Sequence, residues 1–134
     1  MKKFTDILFW IILLAMGVYI LYQKGYILKN YEDITVLNAY NQMLTDTNIT
    51  LLDVRTKEEI KSDGAIKNHI LVPVQILERN LDKLEKYKST KIFVYCQSGN
   101  RSVTASRILS NAGFKSYNVK GGIIEWKKQK LPLK

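Results

Sequence analysis

The chain contains 134 residues, close to the usual size of one domain, and this length argues against a large multidomain enzyme. Hydrophobic residues make up 46% and charged residues 25%, a balance that excludes a disordered, collagen-like or low-complexity chain. The single cysteine excludes an intrachain disulfide framework and a cysteine-rich zinc site.

The first distinctive element is an apolar run over residues 7–22, sixteen positions without a charge. As a helix rising ~1.5 Å per residue it spans roughly 24 Å, somewhat less than the ~30 Å hydrocarbon layer of a bilayer. Three interpretations stay open: an uncleaved membrane anchor, a cleaved secretory signal and a buried core helix. Lys2 and Lys3 fit the first two. We expect residues 1–29 to be an anchor or signal segment with a short linker, touching the membrane through residues 7–22.

The side of the membrane on which the rest of the chain lies stays open at this point. The amino terminus, Lys2 and Lys3 outweigh Lys24 and Lys29 by one positive charge, which favours an extracytoplasmic domain behind a single-pass anchor. A lone reactive thiol favours a reducing cytosol instead.

Net charge is +9 for the whole chain, from 21 Lys and Arg against 12 Asp and Glu. Without the four lysines and the one aspartate of residues 1–29, the remainder has 17 against 11, or +6. Its densest basic run consists of Lys83, Lys86, Lys88 and Lys91; it is interleaved with Asp82 and Glu85, and no aromatic stacking pattern accompanies it. We therefore expect a solvated helix face there and no nucleic-acid partner.

Helical and extended patterns alternate through residues 30–134, which we interpret as one domain. The run at 92–95 is apolar on both faces, as in a sheet covered on both sides. The pattern predicts a three-layer α/β domain with a mainly parallel central sheet. In chain order the predicted elements are a helix over 36–44, a strand at 49–54, a helix from a Thr56–Glu59 capping box to Gly64, a strand at 70–74, a helix over 77–84, a strand at 92–95, a helix from about Ser102 to Gly113, a strand at 116–119 and a last helix carrying Trp126.

Cys96 lies at the most informative point of this pattern, directly after the buried strand and before the next helix. Chemistry in open α/β sheets is found at the carboxyl ends of strands. Backbone N–H groups of a short loop, together with the partial positive charge of a helix N-terminus, stabilise a thiolate. Gly99 permits an unusual backbone conformation, and Arg101 can bring a guanidinium to the same anion. A small hydrophobe ending a strand would explain Cys96 alone, but not this combination.

Three ordered motifs make the domain resemble a single-domain rhodanese, a sulfurtransferase. They are LLDVRTKEEI at 51–60, CQSGNRS at 96–102, and GGIIEW at 121–126 followed by LPL at 131–133. The resemblance runs from about Ile34 to the C-terminus. It departs from the family at residues 64–69, where Gly-Ala-Ile-Lys-Asn-His replaces the usual Gly-His-Ile-Pro-Gly-Ala.

The resemblance implies a catalytic Cys96 that takes a sulfane sulfur from thiosulfate or a persulfide and passes it to a thiol or cyanide. It implies no metal and no organic cofactor. Asp53, Arg55 and Ser102 are expected to support the loop structurally. His69 and Trp126 are expected to be a connector residue and a core anchor. The residues expected to bind the persulfide and the anionic donor are Gln97, Ser98, Gly99, Asn100 and Arg101.

Two other functions stay open. One is a membrane-tethered module that binds a partner or senses redox state with little turnover. The other is a phosphatase or arsenate reductase, whose loops are similar to this one but use Cys-x5-Arg. The spacing from Cys96 to Arg101 is Cys-x4-Arg. The shorter loop favours a cradle for one persulfide sulfur over a cradle for a tetrahedral oxyanion.

Overall fold

A computed structural model describes residues 1–133 and contains a five-stranded sheet in which every neighbouring pair is parallel. From edge to edge the strand order is β1, β5, β4, β2, β3. The strands are β1 (Glu32–Ile34), β2 (Ile49–Asp53), β3 (Ile70–Leu71), β4 (Lys91–Tyr95) and β5 (Lys115–Val119), and the helices are α1 (Lys2–Gln23), α2 (Val36–Thr45), α3 (Lys57–Asp63), α4 (Val74–Leu77), α5 (Leu81–Leu84), α6 (Asn100–Asn111) and α7 (Gly122–Lys128).

Helices cover both faces of this sheet, so the predicted three-layer α/β architecture is confirmed. Successive side chains of a strand point to opposite faces, and β4 shows the consequence. Val94 packs with Leu77 and Leu109 on the side of α4 and α6, whereas Phe93 packs with Ala39 and Ile123 on the side of α2 and α7. The apolar run of β4 is buried because both layers cover it.

Two predicted elements differ from the structure, and one strand was missed. The strand expected at 70–74 ends at Leu71, because Pro73 lacks an N–H and is instead the N-cap of α4, which begins at Val74. The helix expected over 77–84 is broken into short α and 3₁₀ turns between Val74 and Tyr87. The missed strand is β1, an edge strand whose sequence, Glu-Asp-Ile, carries no apolar alternation.

Helix α1 contains 22 residues, none of them buried, and an 18-residue stretch within it has a mean hydropathy of 2.2. The core-helix interpretation is therefore wrong. A length of about 33 Å, at ~1.5 Å per residue, and the apolar composition suffice to cross a membrane.

Candidate active site

Cys96 lies at the carboxyl end of β4, with its side chain 1% exposed. Residues 97–99 then turn the chain into α6, which begins at Asn100. Gly99 caps this helix in the left-handed conformation at a φ of 107°, a value that a side chain would strain. The loop consequently wraps around the sulfur, and the amino end of α6 faces it.

Backbone and side-chain groups of the loop converge on the Cys96 sulfur. The N–H of Gly99 donates to Sγ at 3.1 Å, and the N–H of Ser102 donates to it at 3.4 Å. In the thiol form, Sγ–H donates to the Ser102 hydroxyl oxygen at 3.4 Å. These are the contacts that a sulfur anion requires, since hydrogen bonds to the charged form favour it.

Ser102 is itself held by a polar chain that reaches the linker after α1. Its hydroxyl donates to Asn118 Oδ1 at 2.6 Å, and Asn118 Nδ2 donates to Asp33 Oδ1 at 2.9 Å. Asp33 also pairs with Lys29. Burial raises the pKa of Asp33, but the hydrogen bonds from Lys29 and Asn118 outweigh burial and leave the pKa below its usual value. The sequence pattern contained no signal for Asn118 or Asp33, because Asn118 reaches Ser102 only where β5 lies beside β4, and Asp33 reaches Asn118 only through the parallel pairing of β1 with β5.

The glycine turn at residues 121–122, before α7, also holds the Cys96 loop in place. The carbonyl of Cys96 accepts the N–H of Ile123 at 2.9 Å, and that of Gln97 accepts the N–H of Ile124 at 3.1 Å. This approach requires a residue without a side chain at position 122, where an added Cβ would lie 2.3 Å from the Cys96 oxygen. The GGIIEW segment thus fixes the active-site loop through the start of α7.

Asp53 and Arg55 form an ion pair with both side chains 0% exposed. Arg55 Nη2 donates to Asp53 Oδ2 at 2.7 Å and to the Gly64 carbonyl at 2.8 Å. Arg55 Nη1 reaches Gln97 Oε1 at 3.4 Å. Gln97 also donates from Nε2 to Asp63 Oδ2 at 3.0 Å. Through Arg55, the pair therefore contacts Gln97, the first residue of the loop after Cys96.

Arg101 binds the carboxylate of Glu59, a residue that the sequence did not place in the active site. Its Nη1 and Nη2 donate to the two oxygens of Glu59 at 2.7 and 2.5 Å. The hydrogen bond from Arg101 lowers the pKa of Glu59 to about 2, and the same contact raises the pKa of Arg101. The Thr56–Glu59 capping box, predicted from the sequence, aims this carboxylate: Glu59 Oε2 also accepts the N–H of Thr56 at 2.9 Å.

The remaining predicted residues divide between the rim of the site and the scaffold. Ser98 and Asn100 are exposed at the rim of the loop. His69 lies in the connector before β3, where its Nδ1 is 2.8 Å from the Ile66 carbonyl oxygen. Trp126 is buried and donates from Nε1 to the Pro132 carbonyl at 3.0 Å. Within residues 1–133, no cluster of three or more His, Cys, Asp or Glu side chains is arranged to hold a metal ion.

Comparison with known proteins identifies relatives of this domain. The chain is 38% identical over 102 residues to the tRNA uridine(34) hydroxylase of Hamiltonella defensa, covering 69% of this chain but only 28% of that protein. It is 32% identical over 117 residues to the uncharacterized protein RP600 of Rickettsia prowazekii, covering 75% of this chain and 95% of that one. A crystal structure of a rhodanese-related protein from Thermoplasma volcanium superimposes with a TM-score of 0.70 at 32% identity, covering 78% of this chain and 98% of the other.

The family model for the rhodanese-like domain matches residues 36–129. This range contains the parallel sheet from β2 to β5, the Cys96 loop and the clamping turn at Gly122. The chain therefore belongs to the rhodanese-like domain family.

Proposed function

We propose that the domain is a sulfurtransferase that carries sulfur as a persulfide on Cys96. The observation that carries this proposal is the convergence of the Gly99 and Ser102 N–H groups on Sγ, at 3.1 and 3.4 Å. Such donors stabilise negative charge on Sγ, the atom that carries this charge when Cys96 attacks the donor and again when it departs as a thiolate. Burial of Cys96 shields its sulfur–sulfur bond from stray thiols.

The reaction takes two steps. The Cys96 thiolate attacks the outer, sulfane sulfur of thiosulfate; a new sulfur–sulfur bond forms, and sulfite leaves with the electron pair of the bond that breaks. A nucleophilic acceptor then attacks the terminal sulfur, and Cys96 departs as a thiolate. With cyanide as the acceptor the product is thiocyanate. No step requires a redox cofactor, because the sulfane sulfur moves between nucleophiles without net oxidation.

Arg101 has a limited role in this scheme. Its guanidinium faces the carboxylate of Glu59 on one side, so its charge is partly neutralised before a donor arrives. The N–H groups of Gly99 and Ser102 supply the contacts to Sγ, and Arg101 contributes a directional hydrogen bond to the outer oxygens of an anionic donor. A phosphatase would need this arginine for the oxyanion itself, and the Cys-x4-Arg spacing favours sulfur transfer.

A second candidate is a part in tRNA modification, favoured by the 38% identity to proteins named tRNA uridine(34) hydroxylase. That name describes whole proteins, of which this chain spans about 28%. Arg55, Arg101 and Arg107 argue against an RNA surface, because their guanidinium groups already bind Asp53, Glu59 and backbone carbonyls.

We place α1 in a membrane as a single-pass anchor, because its length and hydropathy suit a bilayer.

A turnover assay separates these functions. The full chain, purified in detergent, is mixed with thiosulfate and cyanide, and thiocyanate is measured beside Cys96→Ser. Sulfur transfer predicts catalytic thiocyanate formation by the wild type alone. Equal rates in both proteins would overturn the proposal. Release of phosphate from an aryl phosphate would establish the phosphatase instead, and retention of tRNA on the immobilised chain would favour the second candidate.

A further inference from the structure

The end of α1 and the linker after it are fastened to α6 by one buried arginine. The guanidinium of Arg107 donates to the backbone carbonyls of Tyr22, Ile27 and Leu28 at 2.8, 2.9 and 2.5 Å. It also lies over the ring of Tyr22, 3.8 Å from the centroid. Because the guanidinium is planar and rigid, its hydrogen bonds to three carbonyls fix the direction in which the chain leaves the domain.

Close packing at Gly25 reinforces this attachment. A Cβ at that position would lie 2.1 Å from the hydroxyl oxygen of Tyr31 and 3.1 Å from the methyl groups of Val103, and the residue has a φ of 75°. A side chain at this position would be strained by the backbone conformation and would have to displace the Tyr31 hydroxyl and crowd Val103 of α6, so we expect alanine to loosen the contact between the linker and α6. Gly17, in the middle of α1, has no atom within 4 Å of an added Cβ and provides a matched control.

The contacts with α6 show where α1 goes. The long side chain of Arg107 reaches both Tyr22 and Leu28, whereas Gly25 lies against Val103, one turn earlier in α6. The groove at the start of α6 is bordered by Tyr19, Ile20, Gln23 and Lys24 on one side and by Asn100, Arg101 and Thr104 on the other. Followed towards its amino terminus, α1 therefore runs past the active-site end of α6 and leaves the domain on that side. The groove between them has a volume of about 320 Å³.

The position of this groove relative to the membrane follows from the length of the apolar run over residues 7–22. The midpoint of residues 7–22 lies between residues 14 and 15. Half of a ~30 Å hydrocarbon layer corresponds to about ten helical residues, so the lipid–water boundary falls near residue 24. The groove that Asn100 and Arg101 share with α1 then meets this boundary at Lys24, and at Tyr19 it lies about 7 Å inside the edge of the hydrocarbon layer.

We propose that the Cys96 loop faces the bilayer and that its sulfur acceptor is an amphiphilic thiol resident in the membrane. This inference rests on the proposed sulfur transfer. Tyr19 and Ile20 provide the apolar wall for a hydrocarbon tail, while Lys24 and Arg101 favour a thiolate head at the loop end. The acceptor thiolate attacks the terminal sulfur of the Cys96 persulfide. A new sulfur–sulfur bond forms, the bond to Cys96 breaks, and Cys96 recovers the thiolate charge; the acceptor's proton passes to water.

The orientation has a test that does not depend on catalysis. Ser98→Cys and Thr47→Cys are each made in a Cys96→Ser background and labelled with a fluorescent bimane. Thr47 lies before β2, at the amino edge of the sheet and opposite the active site. In nanodiscs containing a phospholipid with a nitroxide on its headgroup, we expect strong quenching at position 98 and little at 47. Equal quenching, or the reverse order, would overturn the orientation.

The acceptor has a second test in the same nanodiscs. Cys96 is loaded with sulfur by thiosulfate or polysulfide, and discharge is followed with a phosphothioethanol lipid or with soluble cyanide. Gly25→Ala should slow discharge to the lipid thiol about tenfold relative to Gly17→Ala, since the loop loses its fixed approach to the bilayer, while discharge to cyanide stays equal. Arg107→Gln should act like Gly25→Ala.

The outcomes of the second test are distinguishable. Failure of Cys96 to load from either donor would refute the proposed function. Loading followed by discharge to cyanide, with no transfer to the lipid thiol or with equal transfer in Gly25→Ala and Gly17→Ala, would refute the membrane acceptor alone. A Gly25→Ala protein that also loses cyanide discharge has a damaged fold, and the decision then rests on Arg107→Gln and the quenching order.

Discussion

The change of Asp53 to Asn tests how much the active-site loop depends on charge buried beneath it. Asp53 accepts four hydrogen bonds from Arg55: the backbone N–H at 2.9 Å, Nε at 3.0 and 3.2 Å to the two carboxylate oxygens, and Nη2 at 2.7 Å. The asparagine oxygen can replace Oδ1 and keep the backbone contact. The amide nitrogen replaces Oδ2 and meets Nη2 donor to donor, so the guanidinium loses both its counter-charge and an acceptor.

The expected loss is large because no water reaches the pair, both side chains being 0% exposed. Removal of one partner from a buried ion pair costs about 3–5 kcal/mol, a sizeable fraction of the ~5–15 kcal/mol stability of a typical domain. Arg55→Met in the Asp53→Asn background removes the stranded charge as well. The double variant should therefore be more stable than Asp53→Asn alone, although the Gly64 carbonyl loses its donor.

Urea unfolding in detergent, followed by fluorescence, measures these differences. The chain has two tryptophans, so Trp10→Phe is used as the background and Trp126, buried in the domain core, is the reporter. Midpoints and slopes give the free energies of unfolding. A loss below about 1 kcal/mol for Asp53→Asn, or a double variant less stable than the single one, would refute the reasoning that buried charge dominates this position.

Three further predictions concern the loop and its supports. Gly122→Ala should cost at least about 2 kcal/mol in thermal or urea unfolding, because its Cβ would lie 2.3 Å from the Cys96 oxygen at a φ of 58°; a change below about 0.5 kcal/mol would contradict this geometry. Ser102→Ala should slow persulfide formation about tenfold by removing the hydroxyl beside Sγ, whereas Ala at the exposed Ser89 should leave the stopped-flow rate unchanged. Because Arg101 lowers the pKa of Glu59 from 4.5 to about 2, the contribution of this pair to stability is complete above pH 4.5 and is lost as the pH falls through 2; a carbon-13 NMR titration of Glu59 with a midpoint near 4.5 would be inconsistent with the pair.

Local patterns account for most of what the sequence could predict. The buried strand before Cys96, the capping box at Thr56 and the helix stop at Gly113 each depend on a few neighbouring residues, and all three are present in the structure. The α/β layering followed from the same local signals, since a strand apolar on both faces needs cover on both sides.

Contacts between distant segments lay beyond prediction. Arg101 was expected to help bind the persulfide and the anionic donor, and no local pattern pointed to Glu59, 42 positions earlier, which binds its guanidinium. Asn118 reaches Ser102 because β5 lies beside β4, a neighbour relation that no local period specifies. The same applies to Arg107. In the sequence it is an ordinary helix residue, but in the structure it is buried and binds carbonyls at the end of α1 and in the linker.

The most direct test of the central claim is the intact mass of the chain before and after thiosulfate, and again after cyanide. The wild type should gain the mass of one sulfur atom and then lose it, with sulfite released in the first step and thiocyanate in the second. Cys96→Ser should gain nothing. A wild-type chain whose mass stays unchanged with thiosulfate and with polysulfide, or a Cys96→Ser chain that gains the same mass, would contradict sulfur transfer through Cys96.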